Sequence, residues 1–241
     1  MSMGKLRRAR ALFPAALLAG WAISSIFPFS SFAQGDRTAA RGAPPAIEIL
    51  APADGARIPA GKMLVIGRVT GGVRSVEIDV NGKVHQSALA TGGGFMASVY
   101  LMQGRNVLTV HAGGASAGRV VVASDNATYR YHPEVEKCAG CHKDTVRGYL
   151  VTGRDDTVCY RCHDRKDGKK LVHGPLGGGD CTSCHDPHGA MNASLTVAGA
   201  EGLCVRCHDQ PHSAKHMRES KAAGCVTCHE PHSSSREFLQ K

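Results

Sequence analysis

The chain has 241 residues, 42% of them hydrophobic and 5% aromatic, with a formal net charge of +9. That length leaves room for about two domains. Its basic residues are scattered among acids with no aromatic interleaving, which argues against nucleic acid as a partner.

Four of the basic residues, Lys5, Arg7, Arg8 and Arg10, open the chain. An uncharged, mostly apolar stretch from Ala11 to Phe32 follows, and Ser31-Phe32-Ala33 fits a small-x-small cleavage site before Gln34. Residues 1–33 are therefore expected to be a signal peptide. The same run is long enough to serve instead as a retained anchor. Either reading places the rest of the chain outside the cytoplasm, in the periplasm or another extracytoplasmic space. Residues 34–45 are rich in Gly, Ala, Arg and Pro, a linker composition.

From Ile47 the pattern changes to period two. Seven short runs rich in β-branched residues are expected as strands: Ile47–Ile49, Met63–Val69, Val73–Val80, Val84–Ala88, Phe95–Leu101, Val107–Val110 and Arg119–Val122. Asn81-Gly82 between two of them is a hairpin signal, because both central residues of a tight primed turn need positive φ. Phe95, Ala97, Val99 and Leu101 alternate with Met96, Ser98 and Tyr100, as in a half-buried strand. Seven strands in this length predict an all-β sandwich over residues 46–126. The order "IEILAPADGARI", "LVIGRV", "VEIDVNGKV", "GGFMASVYLMQGRNVLTVHA" resembles bacterial immunoglobulin-like domains. That resemblance implies an Ig-like sandwich used as a spacer or docking module. His85 and His111 lie in these strands and are read as ordinary surface or edge residues.

Residues 127–241 differ in kind. All ten cysteines lie between Cys138 and Cys228, and eleven of the thirteen histidines lie between His132 and His232. Few aliphatic residues recur at regular spacing, so a stretch this polar cannot bury a core of its own. The expectation is short helices and irregular loops organised by a bound group.

Five segments share one pattern: Cys138-Ala-Gly-Cys141-His142, Cys159-Tyr-Arg-Cys162-His163, Cys181-Thr-Ser-Cys184-His185, Cys204-Val-Arg-Cys207-His208 and Cys225-Val-Thr-Cys228-His229. This is the C-x-x-C-H haem attachment signature. Two thiols one turn apart can each form a thioether to a vinyl group of one haem, and the adjacent histidine becomes the proximal iron ligand. Five covalently bound haems c, each with an iron, are the implied cofactors.

Zinc is the first competing reading, because the gaps between successive motifs are 17, 18, 19 and 17 residues, inside the window for paired C-x-x-C zinc sites. Five pairs leave one unmatched, however, and a histidine after every pair has chance odds on the order of one in two million. A disulfide framework is the other competitor for an exported chain, and it explains neither the uniform spacing nor the histidines. The haem propionates would also account for the basic balance of the sequence, as compensating charge.

Six histidines remain as candidates for the far side of five irons: His132, His173, His188, His212, His216 and His232. Met191 and Met217 are the only methionines nearby, so His/His ligation is expected, which gives lower potentials than Met/His pairs. His188 and His232 stand three residues after a proximal histidine. Side chains so spaced lie about 5–6 Å apart, too close to bracket one haem, so each must reach a neighbouring one.

"VHGPLGGGDCTSCHDPHG" (172–189), its partial echo "KHMRESKAAGCVTCHEPHS" (215–233) and the intervening "LCVRCHD" resemble the doubled C-x-x-C-H domains of multihaem cytochromes c. In that family the histidine upstream of a motif and the one three residues after it are distal ligands. The resemblance therefore nominates His173, His188, His216 and His232, with His132 as the fifth and His212 as a substitute for His216. No histidine stands close before Cys159 or Cys204, so which ring serves which iron stays open.

The expected role is electron transfer between redox protein partners outside the inner membrane, with no catalytic residues. The rival from another class is a multihaem reductase of nitrite or a similar small oxyanion, which needs one iron with an open position. Pentahaem nitrite reductases use lysine in one attachment motif, whereas all five here carry histidine. Membrane association through partners and self-assembly are both compatible with the sequence.

Overall fold

A computed structural model describes residues 44–142, 155–208, 216 and 224–241. The expected signal peptide, most of the linker and His212 lie outside these residues. Gly42–Lys241 form one compact unit.

Its first part is built of strands: β1 (Ile47–Ala51), β2 (Arg57–Ile58), β3 (Gly61–Val69), β4 (Ser75–Val80), β5 (Lys83–Leu89), β6 (Gly94–Leu101), β7 (Gly104–Ala112) and β8 (Ala115–Ala123). They form a three-stranded sheet in the order β1-β3-β6 and a five-stranded sheet in the order β2-β8-β7-β4-β5. All seven expected runs are strands, and β2 is additional. It is only two residues long and pairs in parallel with the end of β8, too short for periodicity to mark it.

Alternation drives the packing. In β6, Phe95, Ala97, Val99 and Leu101 are buried while Tyr100 is exposed. Val76, Ile78 and Val80 of β4 and Leu108, Val110 and Ala112 of β7 join them in one apolar cluster. Apolar area buried in this way contributes roughly 25 cal/mol per Å². Asn81 and Gly82 turn the β4–β5 hairpin at φ 56° and 75°. At Gly67 a Cβ would lie 2.3 Å from Phe95 Cζ, so the side chain of Phe95 lies over bare backbone there.

Of the two histidines in the strands, His85 is exposed on β5. His111 on β7 faces Asp79 on the neighbouring β4, with Nε2 3.2 Å from the carboxylate.

The chain leaves β8 without leaving the core. Thr128 and Tyr129 N–H groups both donate to the Arg57 carbonyl of β2, and the Tyr129 ring is buried in the apolar cluster. Tyr131 packs edge-on against it, ring centroids 5.1 Å apart, and its hydroxyl donates to the Leu64 carbonyl of β3 at 2.5 Å. Tyr131 belongs to β9 (Arg130–Tyr131), whose partner is β11 (Gly189–Ala190) deep in the cysteine-rich segment. A two-residue ladder thus joins the β-rich part to the second half. A second such ladder joins β10 (Leu171–Val172) to β12 (Ser233–Ser234).

Beyond Tyr131, the described residues contribute only Leu176 and Ala190 to the buried apolar set. The rest of the segment is short helical turns and loops. No described helix is long and apolar enough to cross a membrane.

Candidate functional site

Each C-x-x-C-H motif closes a single helical turn. The backbone N–H of the histidine donates to the carbonyl of the first cysteine in all five: His142 to Cys138 at 2.8 Å, and His163 to Cys159, His185 to Cys181, His208 to Cys204 and His229 to Cys225 at 3.0 Å. This bond places positions one, four and five of the motif on one side of the turn, so both thiols and the imidazole serve one small group. All ten cysteines are unbridged.

The thiols of successive motifs approach one another. The thiols of Cys159 and Cys181 stand close enough to interact, and so do those of Cys204 and Cys225. Burial, then the neighbouring Cys159, pushes the Cys181 thiol up to about 12. Burial likewise raises Cys159, Cys184 and Cys204. Reactive redox C-x-x-C pairs depend on a depressed thiol pKa; these four are shifted the other way.

Among the described residues, the histidine that closes each motif faces a second histidine. Ring centroids lie 6.2 Å apart for His142 and His188, 6.0 Å for His163 and His132, and 6.1 Å for His185 and His232. They lie 5.9 Å apart for His208 and His173 and for His229 and His216. The planes are 12°, 72°, 8°, 21° and 68° apart in that order. A gap near 6 Å is too wide for direct ring stacking. It matches two imidazoles on opposite sides of one metal, with metal–nitrogen bonds of about 2 Å and about 1 Å more from each nitrogen to its ring centre. No three histidine, cysteine, aspartate or glutamate side chains gather into a metal cage among the described residues. The donor set therefore suits a group that takes two axial nitrogens and two flanking thioethers, as haem c does.

The second ring nitrogens are occupied in a manner that fits this. His185 Nδ1 lies 2.8 Å from the Ser194 carbonyl, and His229 Nδ1 lies 2.8 Å from the Phe238 carbonyl. A carbonyl can only accept, so Nδ1 carries the proton and Nε2 keeps its lone pair, the arrangement that orients a metal-bound imidazole. His188 Nδ1 lies 3.6 Å from Asp186, and His232 Nδ1 lies 3.5 Å from Glu230. Burial opposes ionisation of Asp186, yet the side-chain and backbone hydrogen bonds from His188 outweigh it and hold that carboxyl below the usual range. Burial and the facing His208 lower the pKa of His173, which favours the neutral ring that a metal needs. His132 differs, because its Nδ1 accepts a 3.2 Å bond from the Glu134 N–H.

Two distal candidates sit at the end of each ladder. His132 follows β9 and donates its backbone N–H to the His188 carbonyl beside β11 at 3.2 Å. His173 follows β10 and donates to the His232 carbonyl beside β12 at 2.9 Å. Residues that sequence reasoning did not single out are thus the ladder partners, Gly189 above all. A Cβ there would lie 2.7 Å from Tyr129 Oη and 2.8 Å from the Arg130 carbonyl. The sequence signal was a glycine directly after a candidate ligand. Met191 is exposed, and Met217 lies outside the described residues.

Residues 173–213 match the family model for the doubled CXXCH motif, a haem-binding motif of c-type cytochromes. It supports covalently bound haem c in this part of the chain. No curated protein matches the chain. Among solved structures, the fibronectin(III)-like modules of Clostridium thermocellum CbhA align at 13% identity and a TM-score of 0.28, over 33% of this chain and 96% of that one. A modular endo-β-1,4-mannanase from Cellulomonas fimi aligns at 27% identity and a TM-score of 0.28, over 34% of this chain. An engineered protein aligns at 28% and 0.27, again over 34%. This chain covers only 19% and 20% of the latter two.

Proposed function

We propose that this chain is a multihaem electron-transfer cytochrome c that works outside the cytoplasm. Residues 138–229 would hold five haems c, each between a proximal and a facing histidine. The observation that carries this reading is the set of five facing pairs, all between 5.9 and 6.2 Å. When bound, each haem supplies a one-electron iron couple whose potential is set by its axial ligands and burial.

The chain's own residues do the rest. His142, His163, His185, His208 and His229, with their facing partners His188, His132, His232, His173 and His216, would hold the five groups. A metal held by both rings of a pair would have no place for substrate, which suits a carrier over a reductase. The contacts Cys159–Cys181 and Cys204–Cys225 bring successive attachment points together. The β-rich part, tied to the segment through Tyr131 and β11, serves as a rigid docking module for redox protein partners.

Intact-mass measurement of the exported protein tests this, together with magnetic resonance of its oxidised form. Five haem additions and low-spin signals alone are expected. A colourless product would sink the reading, and a dominant high-spin signal would favour a reductase.

A further inference from the structure

Two of the facing rings are reached through the same short sequence. His188 follows His185-Asp186-Pro187, and His232 follows His229-Glu230-Pro231. The backbone fixes the acid in the same place both times. Asp186 N–H donates to the Leu195 carbonyl at 2.8 Å, and Glu230 N–H donates to the Leu239 carbonyl at 2.7 Å. The carboxylate then turns to the ring two residues on. Asp186 Oδ1 lies 3.6 Å from His188 Nδ1, and Glu230 Oε1 lies 3.5 Å from His232 Nδ1. The two acid side chains are 32% and 31% exposed, so water screens their fields only in part.

The rings that face His208 and His163 meet different chemistry. His173 hydrogen-bonds the Pro231 backbone, and because proline has no N–H the ring must donate to a carbonyl. His132 Nδ1 accepts from the Glu134 N–H at 3.2 Å. Both of these backbone partners are neutral, whereas His188 and His232 stand against a carboxylate.

Turn capping accounts for part of what Asp186 does, since its Oδ1 also accepts from the His188 and Gly189 N–H groups at 2.9 and 3.4 Å. Glu230 is one methylene longer and still brings an oxygen to the same ring nitrogen. The relationship that recurs is acid to ring.

We propose that Asp186 and Glu230 are positioning residues that set the potentials of two haems. They hold the couple between His142 and His188, and the couple between His185 and His232, below those facing His132 and His173. This rests on the reading that each facing pair brackets one haem. Oxidation removes one electron and leaves one more positive charge at the metal, while Nδ1 keeps its proton. A carboxylate against Nδ1–H makes the ring a stronger donor and favours that oxidised state.

The test is a redox titration of the full-length holoprotein, followed by magnetic resonance and paired with intact mass. Glu230→Gln removes the charge and keeps an oxygen acceptor. One couple should move upward, changing its oxidised-to-reduced ratio at a fixed electrode potential about tenfold, which is about 59 mV for one electron. It should be the couple whose low-spin signal is lost in His232→Ala. Asp186→Asn should raise a different couple, the one whose signal is lost in His188→Ala. Glu230→Asp, which copies the acid at 186, should keep the potential of the unmodified protein. Unmoved potentials in Glu230→Gln and Asp186→Asn, or an equal shift of all five couples, would overturn the proposal. So would a shift in Glu230→Asp as large as in Glu230→Gln, or a high-spin signal in Glu230→Gln, which would make the acid a prop for the ring. A haem count below five in the unmodified protein would instead sink the parent reading, before any potential is read.

Discussion

His185 and His232 lie far apart in sequence, yet their rings stand 6.1 Å apart and 8° from parallel. The nearer histidine, His188, faces His142 instead. His232→Ala is therefore expected to turn the haem on Cys181 and Cys184 high-spin, and to leave the one on Cys225 and Cys228 low-spin. Magnetic resonance, combined with a His185 variant to identify the signal, checks the assignment. Loss of low-spin character at Cys225 and Cys228 alone would contradict it.

The β-rich part carries its own apolar cluster, whereas the segment beyond Tyr131 buries only Leu176 and Ala190 as apolar residues among those described. A polar segment of that kind cannot offset its ordering entropy unaided, at about 1–2 kcal/mol per residue for the backbone. Expressed without haem attachment, the protein should keep protected amides in β3, β4, β6 and β7 and lose them throughout residues 138–241. Hydrogen exchange reads both halves at once. Protection of the cysteine-rich segment in the apo chain would count against porphyrin as its filler.

Gly189 is hemmed in by Tyr129 Oη and the Arg130 carbonyl. Gly189→Val should cost about 1–3 kcal/mol by overpacking. Because β11 holds His188 beside His132, the same change should raise the high-spin fraction at the first two haem sites and spare the fifth. Thermal unfolding and magnetic resonance together separate this from a general loss of stability.

Tyr131 gives an alkaline signature. Burial raises its phenol pKa well above the ordinary value of 10.0, against a smaller opposing effect of the Leu64 hydrogen bond. A group raised in the folded state contributes stability that is complete below the unfolded value and is lost as pH climbs toward the folded one. Stability should thus fall above about pH 10, by up to about 1.4 kcal/mol per pH unit from this residue. Tyr131→Phe should flatten that slope at a cost of about 1 kcal/mol at neutral pH, from the lost hydrogen bond. Urea midpoints at pH 8 and pH 10.5 measure both effects.

The strands were legible because burial on one face of a sheet imposes period two, and Asn81-Gly82 announced its turn through positive φ. The attachment motifs were legible because thioether geometry fixes two cysteines and a histidine within five residues. That His188 and His232 must look elsewhere also followed from a local distance. What did not follow was where they look. His132 and His173 each skip the nearest motif for the next one, and the devices that send them there, β9 with β11 and β10 with β12, are two residues long. Ladders that short leave no periodicity, and their partners are brought together by the folded chain alone. A choice between His212 and His216 was likewise beyond sequence reasoning; the structure faces His216 with His229, and His212 lies outside the described residues.

The pairing of His142 with His188, and of His185 with His232, bears on biogenesis. Were the chain exported as proposed, Cys138 and Cys141 would emerge before the ring that faces His142, which is His188. The attachment enzymes would thus meet an open, reachable chain, and axial closure would come only as later segments arrive. Order of emergence would then hold the attachment points at His142 and His185 open until His188 and His232 arrive, whereas His163 and His208 would meet rings, His132 and His173, that precede them.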